Sequence, residues 1–153
     1  MVIRSATPED IDRCCELLAI LFEQETEFEP DPELQKKGLQ MIIENPSFGT
    51  ILVCENSNDG YITGMLVLLF SVSTALGMKV ALLEDMIVDP DFRSRGIGNH
   101  LIQNAVRFAE TEGFGRITLL TDAGNGRAHD FYKKNGFTRS GMVMFRKNIS
   151  PSR

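Results

Sequence analysis

Histidine and cysteine, the usual metal ligands and partners of a nucleophile, are scarce here: two and three respectively among 153 residues. Two of the cysteines, Cys14 and Cys15, are adjacent and Cys54 stands alone, which is neither a disulfide framework nor zinc-site spacing. Cys14 falls on an apolar helical stripe and Cys54 in a strand-like run, so buried free thiols in a reducing compartment are expected. His100 and His129 have no ligand at trustworthy spacing, so no metal is expected. Both are expected on helix surfaces, with His129 near enough to Tyr132 to line the same cleft. No serine stands in a nucleophile elbow, and no histidine lies near Cys14 or Cys15 in sequence.

Other absences bound the setting. No apolar run is long enough to cross a bilayer, and no basic-then-apolar leader precedes Val2, so a cytoplasmic protein with no membrane partner is expected. A formal charge of -5 argues against a nucleic-acid partner and is compatible with cationic ones. There is no internal repeat and no low-complexity tract. What is present is ordinary for a soluble globular protein: 42% hydrophobic and 24% charged residues. A single domain over residues 1–149 is expected, with a frayed tail at 150–153.

The chain is organised around Leu82 to Ala109. Leu82-Leu83-Glu84-Asp85-Met86-Ile87-Val88 reads as a strand stopped by Asp89-Pro90. After Arg93-Ser94-Arg95-Gly96-Ile97-Gly98, the residues Leu101, Ala105 and Ala109 share one helical face. A helix start offers unpaired N–H groups and the positive end of the dipole, and glycines let a bulky anion approach. An ordinary exposed junction with surface arginines fits the same residues. The loop lacks the Lys-Ser/Thr ending of a nucleotide-triphosphate loop and is shorter than the dinucleotide fingerprint.

Elsewhere, Val2 to Ser5 reads as a strand. Thr7-Pro8-Glu9-Asp10 reads as a helix start with Asp10 standing in for a capping-box Glu. That helix fades near Phe22. Six acids between Glu23 and Glu33 are expected on an exposed loop, either a solvated face or a rim that attracts an amine. A second helix, 34–44, has Leu34, Gly38 and Met41 on one side. Strands follow at 50–54 and 61–72, the latter apolar enough for the middle of the sheet. A strand at 116–121, a helix at 127–135 and one or two strands at 137–149 complete an α/β (α+β) chain. Its order is β-α-α-β-β-β-α-β-α-β, a mixed, mostly antiparallel central sheet flanked by helices.

Glu84 and Asp85 interrupt an apolar strand. Strict alternation puts Glu84 with Leu82, Met86 and Val88, and Asp85 with Leu83 and Ile87. Buried carboxylates are costly unless paired or used, so structural pairing and a general base stand as two readings. Tyr132, one step round its helix from Phe131, is either packing or a proton donor to a leaving thiolate.

These residues resemble the GNAT superfamily of acetyl-CoA-dependent N-acetyltransferases. Its cofactor signature, Arg or Gln, two residues, Gly, one residue, Gly or Ala, is met by Arg93 to Gly98 after Val88-Asp89-Pro90. Asn125, Ala128, Phe131-Tyr132 and Gly136-Phe137 are similar to a second signature of that family. The resemblance implies acetyl-CoA as donor, its pyrophosphate on Arg93, Ser94, Arg95, Gly96, Ile97 and Gly98. Its pantetheine arm would lie along Met86, Ile87 and Val88 and touch Asn125, Ala128 and Phe131. Glu84 would be the base, directly or through water, and Tyr132 the acid. Leu83 to Val88 looks like the strand of diamine and polyamine acetylators, so a small cationic amine is expected. Glu25, Glu27, Phe28, Glu84 and Asp85 would contact it, in what is expected to be a homodimer. Aminoalkylphosphonate, amino-sugar or protein amines remain alternatives, as does a non-catalytic acyl-CoA-binding module.

Overall fold

The computed structural model describes residues 1–25 and 29–150. Strand β1 (Val2–Ser5) leads through a 3-10 turn, Pro8–Asp10, into α1 (Ile11–Gln24). Asp10 accepts the Thr7 amide at 2.8 Å, as the helix-start reading requires, and also takes the Arg4 guanidinium at 2.7 and 3.0 Å. The turn is thereby tied to the strand before it. Helix α2 (Pro32–Glu44) follows, its amide at Leu34 capped by Asp31.

The face of α2 differs from the expected one. Gln35 and Leu39 are buried, whereas Leu34 and Met41 are 46% and 57% exposed. Ile42 and Ile43 pack with the buried side. A buried glutamine breaks the apolar pattern that periodicity relies on, so the packed stripe follows Gln35 and Leu39 and not Leu34 and Met41.

Strands β2 (Gly49–Glu55), β3 (Ile62–Ser73), β4 (Met78–Val88) and β5 (Ile117–Leu119) complete a five-stranded sheet in the order β1-β2-β3-β4-β5. All pairs are antiparallel except β4 with β5, which flank helix α3 (Ile97–Thr111) as a parallel β-α-β unit. One sheet face carries Ile51, Val53, Met65, Val67 and Ile87 against Cys14, Leu17, Leu18 and Leu39 of α1 and α2. The opposite face receives α3. Gly64 of β3 has no side chain there, and a Cβ would meet Ile97 and Leu101 side-chain carbons at 3.2 Å. Such close approach seats the first turn of α3 on the sheet. Phe70, Phe108 and Phe114 pack ring to ring and hold its other end.

The chain falls into two compact units, Met1–Leu120 with the whole sheet and Thr121–Arg153 with helix α4 (Gly126–Lys134). The strand expected at 137–149 is not formed: residues 138–149 carry no regular structure. Met142, Val143 and Phe145 are more than four-fifths exposed. β-Prone residues become a strand only when a neighbour takes their N–H and C=O groups, and no described strand pairs with this segment. Among the described residues, no helix is long and apolar enough to cross a membrane.

Candidate active site

The site in the first unit begins where two strands part. Parallel pairing of β4 with β5 ends at Leu83 opposite Leu119, while β3 continues beside β4 as far as Gly64 opposite Val88. Residues Glu84 to Val88 therefore have one edge without a strand partner among the described residues. Alternate backbone N–H and C=O groups point to that edge, those of Met86 and Val88, whereas Ile87 lies opposite Met65 with its backbone groups turned to β3, as is the amide of Asp89, which donates to Thr63.

A β-bulge sits at the mouth of this opening. Leu83 lies opposite Leu68 and Asp85 opposite Val67, which leaves Glu84 as the extra residue. Cross-strand partners share a face. Asp85 consequently stands with Val67 and Ile87 on the side covered by α1, and Leu83 with Leu68 on the α3 side. Strict alternation puts Leu83 and Asp85 on one face, and the inserted residue separates them.

Asp85 is half-buried while Glu84 is exposed. Burial, with the charges of Glu84 and Glu25 adding to it, pushes the Asp85 carboxyl up to about 7. Glu25, the C-cap of α1, is thus brought near Asp85. Glu27 and Phe28, the other expected contacts of the amine, lie outside the described residues.

The anion cradle follows β4 directly. Pro90–Phe92 forms a 3-10 turn, then Ser94 and Gly96 both take positive φ, 63° and 78°, before α3 starts at Ile97. The left-handed pair curls the backbone so that the chain enters α3 from an exposed loop carrying Arg93 and Arg95. First-turn amides such as those of Ile97 and Gly98 have no carbonyl four residues back, which suits them to phosphate oxygens. Arg95 is held with its guanidinium carbon 5.1 Å from the Phe92 ring centroid. These residues fit the pyrophosphate of a coenzyme A thioester.

In the second unit, Asn125 caps α4 by accepting the Ala128 amide at 3.1 Å. His129 is tied by its Nε2 to the Asp122 carbonyl at 2.9 Å, which fixes the loop before the helix. Tyr132 is half-buried, its ring edge-on to Phe131 and Phe137 at 5.2 and 5.8 Å. Burial raises its hydroxyl pKa above the ordinary tyrosine value.

Cys14 and Cys15 are poorly suited to act as nucleophiles. Burial pushes Cys14 up to about 12 and raises Cys15 as well, which removes the thiolate either would need. Sequence reasoning also missed Arg13, Tyr61 and Asp89, which crowd the base of the cradle. Arg13 bonds Asp89 across 76 positions, a distance at which local pattern carries no signal.

A profile of the acetyltransferase (GNAT) family matches residues 11–137. The chain belongs to that family. GNAT enzymes take acetyl-CoA as acyl donor, which agrees with a cradle shaped for pyrophosphate. The N-acetyltransferase YhfO of Bacillus subtilis is 29% identical over 153 residues, covering 97% of this GNAT chain and 98% of that protein. A thialysine N-epsilon-acetyltransferase of Bos taurus is 37% identical over 67 residues, 44% of this chain and 39% of that one. Of other curated relatives the chain spans between 29% and 51% of their length. A crystal structure of a probable acetyltransferase superimposes with a TM-score of 0.85 at 23% identity, covering 98% and 99% of the two chains. That likeness establishes the GNAT fold.

Proposed function

We propose that this chain transfers an acetyl group from acetyl-CoA to the primary amine of a small cationic metabolite, of the diamine, polyamine or lysine-like class. The observation that carries the reading is the Asp85 carboxyl, turned by the bulge at Glu84 to the α1 face where β4 parts from β5, with burial pushing its pKa up to about 7. Acetyl-CoA supplies an activated acyl thioester. The Glu84–Asp85 pair takes the proton of the ammonium, and Asp85 holds it, because two adjacent acids with separated environments divide the roles. The freed amine then attacks the acyl carbon, and the amide of Val88, turned away from β3, donates to the acyl oxygen as charge develops. As the carbon–sulfur bond breaks, Tyr132 gives its proton to the thiolate. A tyrosine whose pKa is raised keeps that proton until it is needed. Asn125, Ala128 and Phe131 complete the donor's contacts, and the family match through both units supports one catalytic domain.

Glu25 next to Asp85 favours a cationic acceptor, and the thialysine enzyme among the relatives acts on an amine of that kind. Free buried thiols suit a reducing, cytoplasmic setting. The exposed apolar run from Met142 to Phe145 supports a homodimer as part of the same reading, for sedimentation velocity to decide.

An amine panel with acetyl-CoA, followed by release of free thiol, tests the proposal. Diamines and lysine analogues are expected to lead, with Asp85→Asn and Tyr132→Phe each lowering kcat/KM on the best of them. Equal turnover by both variants, or preference for an aminophosphonate or amino-sugar, would sink it. Coenzyme A binding without amine-dependent thiol release would instead leave a non-catalytic acyl-CoA-binding module.

A further inference from the structure

The reading of the cradle as a pyrophosphate site leaves one cluster unused, and the inference drawn from it rests on that reading. Arg13 lies in the first turn of α1, and its side chain is 16% exposed. Each nitrogen of its guanidinium makes a hydrogen bond. Nε donates to the Ile62 carbonyl at 3.0 Å, Nη1 to Glu16 at 2.9 Å, and Nη2 to Asp89 Oδ2 at 2.5 Å. The same group lies over Tyr61, 4.4 Å from the ring centroid. Tyr61 in turn packs on Phe92 at 5.7 Å, and Phe92 lies under Arg95. A continuous stack therefore runs from α1 to the arginine of the anion loop.

Asp89 is the other end of the device. It is 7% exposed and stands between the end of β4 and the turn that opens the loop. Its Oδ1 accepts the Asp91 amide at 2.9 Å, its own amide bonds Thr63, and its carbonyl accepts the Phe92 amide at 2.8 Å. Burial alone would raise this carboxyl, but the Asp91 amide and Arg13 hold it below its ordinary value. Asp89 thus stays an anion whose two oxygens are divided, one shaping the turn and the other anchored on α1.

We infer that Arg13 is a positioning residue for the donor site: by clamping Asp89 and stacking through Tyr61 and Phe92 it fixes where Arg95 and the start of α3 meet the pyrophosphate. The side chain touches neither acyl group nor amine. A buried ion pair serving stability alone would use the Asp89 contact but would have no need of the aromatic path to Arg95.

The test compares wild type, Arg13→Met and Arg13→Lys. Calorimetric titration with coenzyme A is expected to show about tenfold weaker binding for Arg13→Met, since small misplacements of a binding loop are costly. Acetyl-pantetheine, which has no pyrophosphate, should be used by variant and wild type within about twofold, the same scale of misplacement being absent there. The KM for acetyl-CoA should rise by more than kcat falls, and amide exchange at 91–98 should speed up. Lysine cannot reach Ile62 and Asp89 together, so Arg13→Lys should fall between the two, and it decides the matter if Arg13→Met does not fold. Folded variants that bind coenzyme A as wild type does, or lose acetyl-pantetheine equally, overturn the inference. Wild type that fails to bind coenzyme A overturns the pyrophosphate reading instead.

Discussion

Asp85 lies opposite Val67, on the face of the sheet that α1 covers, while Leu83 two residues earlier lies opposite Leu68 on the other face. A single extra residue, Glu84, makes that change. It turns a carboxylate that would have faced α3 into one that faces the end of α1 and Glu25, and the raised pKa follows from that placement.

The pH dependence follows with a definite sign. A base must be ionised to accept a proton, so kcat/KM on a diamine should climb with unit slope below about pH 7 and flatten above it. Asp85→Asn should lose this limb and roughly 10²–10⁴-fold in kcat/KM, the usual worth of a positioned base. Glu84→Gln should keep the limb and move it down, because a neighbouring negative charge has gone. A profile that keeps its limb in Asp85→Asn would assign the base elsewhere.

Stability should carry the same signature with the opposite trend. The folded value near 7 stands above the ordinary 3.8, so between them the folded chain holds a proton that the unfolded chain has lost. Asp85 therefore subtracts stability as pH rises through that window, and no more above it. The melting temperature of Asp85→Asn should gain steadily on wild type from pH 4 to 7 and then run parallel. Parallel curves throughout would show that the group is not perturbed.

Tyr132→Phe separates acid catalysis from packing. The rings of Phe131 and Phe137 that surround Tyr132 accept phenylalanine without a change of shape, so folding should be preserved. Loss of the hydroxyl should lower kcat by roughly 10²-fold or more, with little change in KM for the amine. Unchanged kcat in steady-state assays would return Tyr132 to a purely structural role.

Two glycines should behave differently when replaced by alanine. At Gly96, φ of 78° makes alanine strained by roughly 1–2 kcal/mol whatever the space around it, and coenzyme A binding should weaken. At Gly64 the obstacle is contact. A Cβ would sit 3.1 Å from the Ile87 carbonyl oxygen and 3.2 Å from Ile97 and Leu101, so destabilisation of about 1–3 kcal/mol is expected. Denaturant melts and calorimetric titration with coenzyme A distinguish the two. Gly64→Ala lowers stability first, Gly96→Ala affinity.

Cys14→Ala should retain turnover. A thiol pushed up to about 12 by burial in the core has little thiolate to offer an acetyl group, so the direct transfer proposed above needs no acyl-enzyme at Cys14. Mass spectrometry of enzyme quenched with acetyl-CoA alone should find no acetyl-cysteine. An acetylated Cys14 peptide would require a two-step route.

Local chemistry settled much of this protein in the sequence. Asp89-Pro90 stops β4, and apolar runs mark β3 and β4, because their periods and breakers act within a few residues. The buried side of α2 was not legible, since Gln35 occupies a position where pattern expects an apolar residue. The idle segment at 138–149 was not either, because β-propensity does not say whether a partner edge is taken. Only the tertiary structure decided which of two adjacent acids faces α1, and that Arg13 reaches Asp89. Strand register and contacts 76 positions apart arise from how elements pack, and a bulge of one residue exchanges the faces of everything on one side of it.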